Sequence, residues 1–333
     1  MGAPSVVQLE RSAGGPILEP LPDTSWECRA VFNPAAAAID GTVHLLYRAI
    51  GRTGQFLSRL GLATSDDGVV FARTSPDPVF GPEEPYERWS IEDPRLVHAE
   101  GQLLLTYVVL MKPALSYGQQ ARTALASTTD LRSFTRHGII SPPLPELDDR
   151  NMVLFPGQID GRYAALRRPQ QLFGSDYVEY GFDHEPPNEP NRSSIWISFS
   201  DDVRRWEPGR RLLRPERWWE ARKIGAGPPP VRTERGWLVV YHGVDEVGVY
   251  RAGAALLDLE RPGCVLARLP YPILEPERPY EREGLTPNVV FPEGTATIDG
   301  RLLVYYGAAD TVCAMASIKT ATLLDALMEH PVG

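Results

Sequence analysis

Residues 41–49 read GTVHLLYRA, and the same shape returns as GQLLLTYVV at 101–109, GRYAALRRP at 161–169, GWLVVYHGV at 236–244 and GRLLVYYGA at 300–308. Each copy opens on Gly and runs apolar and aromatic for the length of a strand. The glycines lie 60, 60, 75 and 64 residues apart. A proline stands a few residues ahead of each, at Pro34, Pro94, Pro156, Pro229 and Pro292. The stretch between, as in PAAAAIDG and PRLVHAEG, reads as strand, turn, strand. A second motif follows: ATSDDGVVF, ASTTDLRSF and SFSDDVRRW each give a strand, an Asp-bearing turn and an aromatic, with ALLDLERPG a looser copy and ASIKTATLL a weak one. Two hairpins repeated five times specify an all-β chain folded as a five-bladed β-propeller of four-stranded blades. A pair of β-sandwiches also has many short strands, but not this even spacing.

Working outward, residues 1–333 read as a single propeller domain with a short N-terminal extension and a helical tail over Thr320–Met328. The excess in the 75-residue gap is assigned to a loop, QLFGSDYVEYGFDHEPPNEPNRSS. The repeat also accounts for 29 Gly and 32 Pro in a chain whose 43% hydrophobic content is that of a globular protein. With 34 Lys plus Arg against 43 Asp plus Glu, the formal charge is −9, which argues against nucleic acid or an anionic membrane as partner. The longest apolar run, Leu103–Met111, is far shorter than the roughly 20 residues of a membrane span. No signal-peptide pattern opens the chain, and Cys28, Cys264 and Cys313 form neither a disulfide framework nor a zinc motif. The expected setting is the cytoplasm. Oligomeric state is left open, a homo-oligomer included.

In a propeller the innermost strands surround the axis, so equivalent repeat positions converge on one pocket. Just before the repeat Pro stand Asn33 and Asp93; six or seven residues after the Gly stand Arg48, Tyr107, Arg168, His242 and Tyr306. Core strands seldom end in Arg or His, because burying an unpaired charge is costly. Each Arg taken alone reads equally well as the partner of an inter-blade carboxylate. Asp93, in SIEDPRL, reads equally as a turn starter or as a general acid at the axis. Arg150, Arg168, Lys223 and His242 form a basic set in an acidic protein, which suggests a bound anion, phosphate being the common small one. KIGAGPPP lacks phosphate-loop spacing and reads as a loop whose small residues let backbone approach the pocket.

FNPA, LLYRA, SRLGLATSDDG, EDPRL, LFP with the nearby RRP, KIGAGPPP, GWLVVYHGV, LLDLERPG, NVVFPEG and YYGAAD, in that order from Phe32 to Asp310, resemble the proteins of glycoside hydrolase family 130, the β-mannoside phosphorylases and their hydrolytic relatives. The resemblance implies a five-bladed propeller enzyme that converts phosphate and a β-mannoside, with inversion, into α-D-mannose 1-phosphate and a shortened acceptor. It implies Asp93 as the catalytic acid, donating through the 3-hydroxyl of the mannose, and Asn33, Arg48 and Asp310 as mannose-binding residues. It also implies Arg150, Asn151, Arg168, Lys223, His242 and Tyr250 as the phosphate-binding set. An inverting hydrolase needs two carboxyl groups, whereas a phosphorylase needs one acid and cations to hold its nucleophile. The expected co-substrate is therefore inorganic phosphate, with no further cofactor and no metal. The alternatives are a β-mannosidase using water and a non-catalytic carbohydrate-binding propeller. Met152, where the family often has Gly, and the long loop before Ile195 leave the acceptor, chain length and β-1,2 or β-1,4 linkage open.

Overall fold

The computed structural model describes residues 6–52, 57–113, 120–141, 147–173, 176–179, 193–207 and 209–332. Five small antiparallel sheets form a ring, and in four of them the main strands run in chain order from the axis outward. Blade 1 runs Ala30–Ile39, Thr42–Ile50, Ser58–Ser65 and Ala72–Arg73; blade 2 runs Ile91–Ala99, Gln102–Leu110, Ala121–Thr128 and Thr135–Ile139. Blade 3 comprises Leu147–Leu154, Tyr163–Phe173, Ile195–Ser200 and Arg210–Leu213, with Asp176–Glu179 added on the second strand. Blade 4 comprises Lys223–Ala226, Gly236–Val244, Tyr250–Leu257 and Val265–Arg268, with Val231–Thr233 added on its second strand. In blade 5, Val290–Ile298, Arg301–Ala308 and Val312–Lys319 are completed by Glu10–Arg11, which pairs with residues 316–317 and supplies the outer strand. The weak copy ASIKTATLL is cut short because an α-helix, Thr320–Met328, starts inside it. The chain is therefore a five-bladed β-propeller, closed by its N-terminal strand.

Turn chemistry explains the repeat. Asp40-Gly41, Glu100-Gly101, Asp160-Gly161 and Asp299-Gly300 all have positive φ, the geometry of a tight two-residue hairpin turn. The turn between third and fourth strands is held by one aspartate oxygen: Asp67 accepts from the amides of Val69 and Val70, Asp130 from Arg132 and Ser133, Asp258 from Glu260 and Arg261. Prolines 34, 94 and 292 lie within inner strands, next to β-bulges between Phe32 and Ala35, Glu92 and Arg95, and Pro292 and Gly294.

A second repeat ties the connecting segments to the blades. In four of them a buried glutamate accepts a tyrosine hydroxyl from the second strand and a guanidinium from the outer strand. The sets are Glu27 with Tyr47 and Arg73, Glu87 with Tyr107 and Arg136, Glu220 with Tyr241 and Arg268, and Glu281 with Tyr306 and Arg11. In blade 3, Arg167 takes the tyrosine's place and pairs with Asp149 at 2.6 Å. The stretch expected as one loop is partly strand: its first residues extend the second strand of blade 3 to Phe173 and pair with Asp176–Glu179. Residues 180–192 lie outside the described ones. Among the described residues no helix is long and apolar enough to cross a membrane.

Candidate active site at the propeller axis

Successive residues of a strand face opposite ways, and this sorts the polar strand ends. Tyr47, Tyr107, Arg167, Tyr241 and Tyr306 face the glutamate and aspartate pairs just described. Their neighbours Arg48, Val108, Arg168, His242 and Gly307 form the other row, opposite Phe32, Glu92, Arg150, Gly225 and Phe291 of the inner strands. Tyr107 and Tyr306, candidates from sequence, therefore belong to the inter-blade network and not to the axial row. Inner-strand bulges re-aim the next set: Asn33, Asp93 and Asn151 sit in the bulges of blades 1 to 3 with φ of 49°, 49° and 57°. Left-handed backbone is strained for a side-chain-bearing residue, and Asn and Asp tolerate it best.

Asp93 is 7% exposed. Its Oδ1 accepts from Asn33 Nδ2 at 2.9 Å and from Arg48 Nη1 at 3.1 Å. Among the described residues nothing donates to Oδ2. Arg48 reaches Glu92 Oε1 at 2.6 Å through Nη2 and Ser58 Oγ at 2.8 Å through Nε, with its guanidinium over the Phe32 ring. Below Asp93, Arg95 donates to the Asp93 carbonyl at 2.8 Å and to the Gly227 carbonyl at 2.9 Å, and meets the fully buried Glu293 at 2.9 Å. One side chain thus ties blades 2, 4 and 5 at the axis.

The electrostatics follow from this packing. Burial disfavours the Asp93 carboxylate, but Arg48, Arg95, the Asn33 hydrogen bond and Arg150 together hold its pKa below the usual value. Asp310 goes the other way: burial raises it, and Asp93 and Glu92 add to the rise against Thr286 and Arg48. Burial pushes Glu293 well up, with Asp93 adding to the effect against Arg95 and Arg48.

A cationic wall continues from Asp93. Arg150 Nε meets Asp148 at 3.2 Å and its Nη1 lies 3.6 Å from Glu92 Oε2. Arg168 Nη1 lies 3.1 Å from His242 Nε2. Because guanidinium only donates, Nε2 is the acceptor and the imidazole is neutral, with its proton on Nδ1. Burial first, then Arg168, Lys223 and Arg95, drive the His242 pKa well below the ordinary value. His242 therefore accepts from Arg168 as a neutral ring whose Nδ1–H is left to donate, and is not the cation its sequence placement suggested. Lys223 lies over the Tyr250 ring, 5.1 Å from its centroid. Burial and Arg168 lower Lys223 against the pull of Tyr250. Tyr250 is lowered although burial opposes it, because Lys223 and then Arg168 favour its anion. Three buried polar atoms of this set have no hydrogen-bond partner among the described residues, Asn151 Oδ1, Arg168 Nε and His242 Nδ1. Gly225 makes room: a Cβ there would lie 2.5 Å from His242 Cε1 and 2.8 Å from Arg168 Nη1.

The ring thus assembles a buried carboxyl group, one of whose oxygens takes no donor among the described residues, next to a wall of cations, the parts of an acid-catalysed transfer to an anion. A family model described as beta-1,4-mannooligosaccharide phosphorylase matches residues 19–329. The chain belongs to glycoside hydrolase family 130. It is 38% identical, over 94% of its length and 98% of the relative's, to 1,2-beta-oligomannan phosphorylase of Thermoanaerobacter sp. (strain X514). It is 34% identical, over 94% and 97%, to beta-1,2-mannobiose phosphorylase of the same strain. Its fold is similar to the structure of beta-1,2-mannobiose phosphorylase from Listeria innocua in complex with beta-1,2-mannobiose, with a TM-score of 0.80 and 27% identity over 97% of this chain and 99% of that one.

Within this family 130 chain, the axis brings together Asn33, Arg48, Asp93, Arg150, Asn151, Arg168, Lys223, His242 and Tyr250, with Asp310 adding its charge next to Arg48. Sequence reasoning missed the work of Glu92, Arg95 and Glu293. The signal for Glu92 was available in EDPR, where two adjacent acids at a bulge share the Arg48 guanidinium.

Proposed function

We propose that the chain catalyses the phosphorolysis of β-mannosides with inversion, giving α-D-mannose 1-phosphate and a sugar shortened by one mannose. The observation that carries this reading is Asp93, with Oδ1 engaged by Asn33 and Arg48 and Oδ2 without a donor among the described residues, beside the wall of Arg150, Arg168 and Lys223. Asp93 acts as the general acid, its proton reaching the glycosidic oxygen through the 3-hydroxyl of the mannose. Asn33, Arg48 and Asp310 hold that mannose. Arg150, Arg168 and Lys223 hold phosphate as cations, while His242, Asn151 and Tyr250 complete its hydrogen bonds. As the C1–O bond to the leaving sugar breaks, phosphate oxygen bonds C1 from the opposite face and the leaving oxygen takes the proton. Phosphate arrives already anionic, so no base is required, and the cations supply placement in line with C1.

A β-1,2 linkage is the favoured substrate, supported by the names of the two relatives that align along nearly their whole length. A cytoplasmic setting, where phosphate is supplied, accords with three free cysteines. The test is incubation of the purified chain with β-1,2- and β-1,4-mannobiose, with and without phosphate. Mannose 1-phosphate that requires added phosphate is the expected product; free mannose released equally fast without phosphate would sink the reading in favour of a β-mannosidase. Sugar binding without turnover of either disaccharide would sink it in favour of a binding propeller.

A further inference from the structure

Glu92 precedes Asp93 in the inner strand of blade 2 and has no part in the reaction as drawn above. It is buried, and its two oxygens look in different directions. Oε1 takes Arg48 Nη2 at 2.6 Å, while Oε2 lies 3.6 Å from Arg150 Nη1. Arg48 in turn gives its other terminal nitrogen to Asp93 Oδ1 at 3.1 Å. A line Arg150–Glu92–Arg48–Asp93 therefore joins the anion wall to the acid, and the contact to Arg150 is its longest link.

The line bears on a difficulty in the reaction. A general acid must carry a proton before it can give one, yet Asp93 has two donors on one oxygen and the guanidinium groups of Arg48, Arg95, Arg150 and Arg168 acting on it. The carboxyl groups of Asp310 and Glu293 act on it in the opposite sense. We infer that Glu92 is a positioning residue that couples the two halves of the site. An anion arriving at Arg150 draws that guanidinium from Glu92, Glu92 then pairs with Arg48 alone, and Arg48 loosens its hold on Asp93, whose Oδ2 takes a proton from solvent. The acid is protonated only when the nucleophile is in place, so water alone does not receive the mannosyl group. This inference rests on the phosphorolysis reading.

The test follows the pH dependence of β-1,2-mannobiose phosphorolysis in the full chain, for wild type, Glu92→Gln and Glu92→Asp. Glu92→Gln is expected to leave the phosphate KM unchanged or lower. The alkaline limb of kcat should move down by about one pH unit, an about tenfold loss of rate beyond it. Glu92→Asp, which keeps the charge, should restore the limb. A limb that stays put, or a rise in phosphate KM matching the fall in kcat, overturns the inference and leaves Glu92 a structural pair. A second measurement needs no Glu92 variant: calorimetry of sulfate binding, a dianion that does not titrate near neutrality, in two buffers of different ionisation enthalpy. Proton uptake by wild type that vanishes in Asp93→Asn is expected, and sulfate binding without uptake overturns the coupling. Failure both to bind sulfate and to form mannose 1-phosphate would instead remove the phosphorolysis reading, and this inference with it.

Discussion

Asn33 donates to Asp93 at 2.9 Å across 60 residues of sequence, and the two occupy the same bulge position on neighbouring blades. Duplicated geometry has been given two tasks: one copy presents an acid, the next presents the amide that orients it. Replacing Asp93 by Asn keeps an oxygen for Asn33 and Arg48 but removes the proton donor. Asp93→Asn should lower kcat for phosphorolysis by at least about two orders of magnitude, the usual scale for a general acid, with mannobiose still bound.

The same substitution has a pH signature in stability. The folded pKa of Asp93 is depressed, so the stability its charge adds is present above the unfolded value of about 3.9 and is lost as pH falls through the folded one. Asp93→Asn should therefore melt below wild type at neutral pH, and thermal scans should show the gap narrowing on acidification. A constant gap would mean that the carboxylate charge is not what the site stabilises.

His242 should stay neutral from about pH 8 down to 5, the range over which an ordinary histidine takes up its proton. Nitrogen NMR of labelled protein should report an Nδ1–H tautomer throughout. Titration near the normal histidine value would contradict the acceptor role of Nε2 toward Arg168.

Gly225 is the position where the smallest change should do most harm to anion binding. A methyl group there overlaps both His242 and Arg168. Gly225→Ala should raise the phosphate KM at least about tenfold and cost about 1–3 kcal/mol by overpacking, read from phosphate titrations and denaturant melts. A normal phosphate KM would show that neither side chain touches the nucleophile.

Arg11 offers a structural contrast. It meets the fully buried Glu281 at 2.8 Å and closes blade 5, far from the reacting groups. Arg11→Ala should cost about 3–5 kcal/mol, the usual result of leaving one member of a buried pair uncompensated. Denaturant unfolding should register that loss, while the protein that remains folded keeps its phosphate KM.

The architecture was legible because turns advertise themselves. Asp-Gly and Glu-Gly pairs with left-handed backbone, and aspartates that cap the outer turns, recur at matching places in the sequence. The axial row was only half legible. In four blades the inward residue stands seven after the Gly, as Arg48 and Arg168 do. In blade 4 the strand itself begins at Gly236, so His242 stands six after. Mixing the two offsets drew in Tyr107 and Tyr306, which face the other way. The glutamates of the inter-blade network had a sequence signal that went unread, an aromatic before each: Trp26-Glu27, Tyr86-Glu87, Trp219-Glu220 and Tyr280-Glu281. Glu10–Arg11 offered none, since two residues carry no period.

That short strand sets how the ring is assembled as well as how it is held. Its partners are residues 316–317, so the contact that completes blade 5 joins segments about 300 residues apart. Closing so long a loop adds little free-energy cost, because that cost grows only logarithmically with length, but it is slow. Until it happens the third strand of blade 5 has an unpaired edge, the kind of surface through which one unfinished ring can capture another. The feature that makes the finished propeller seamless is thus also the one that decides how long its half-built form stays sticky.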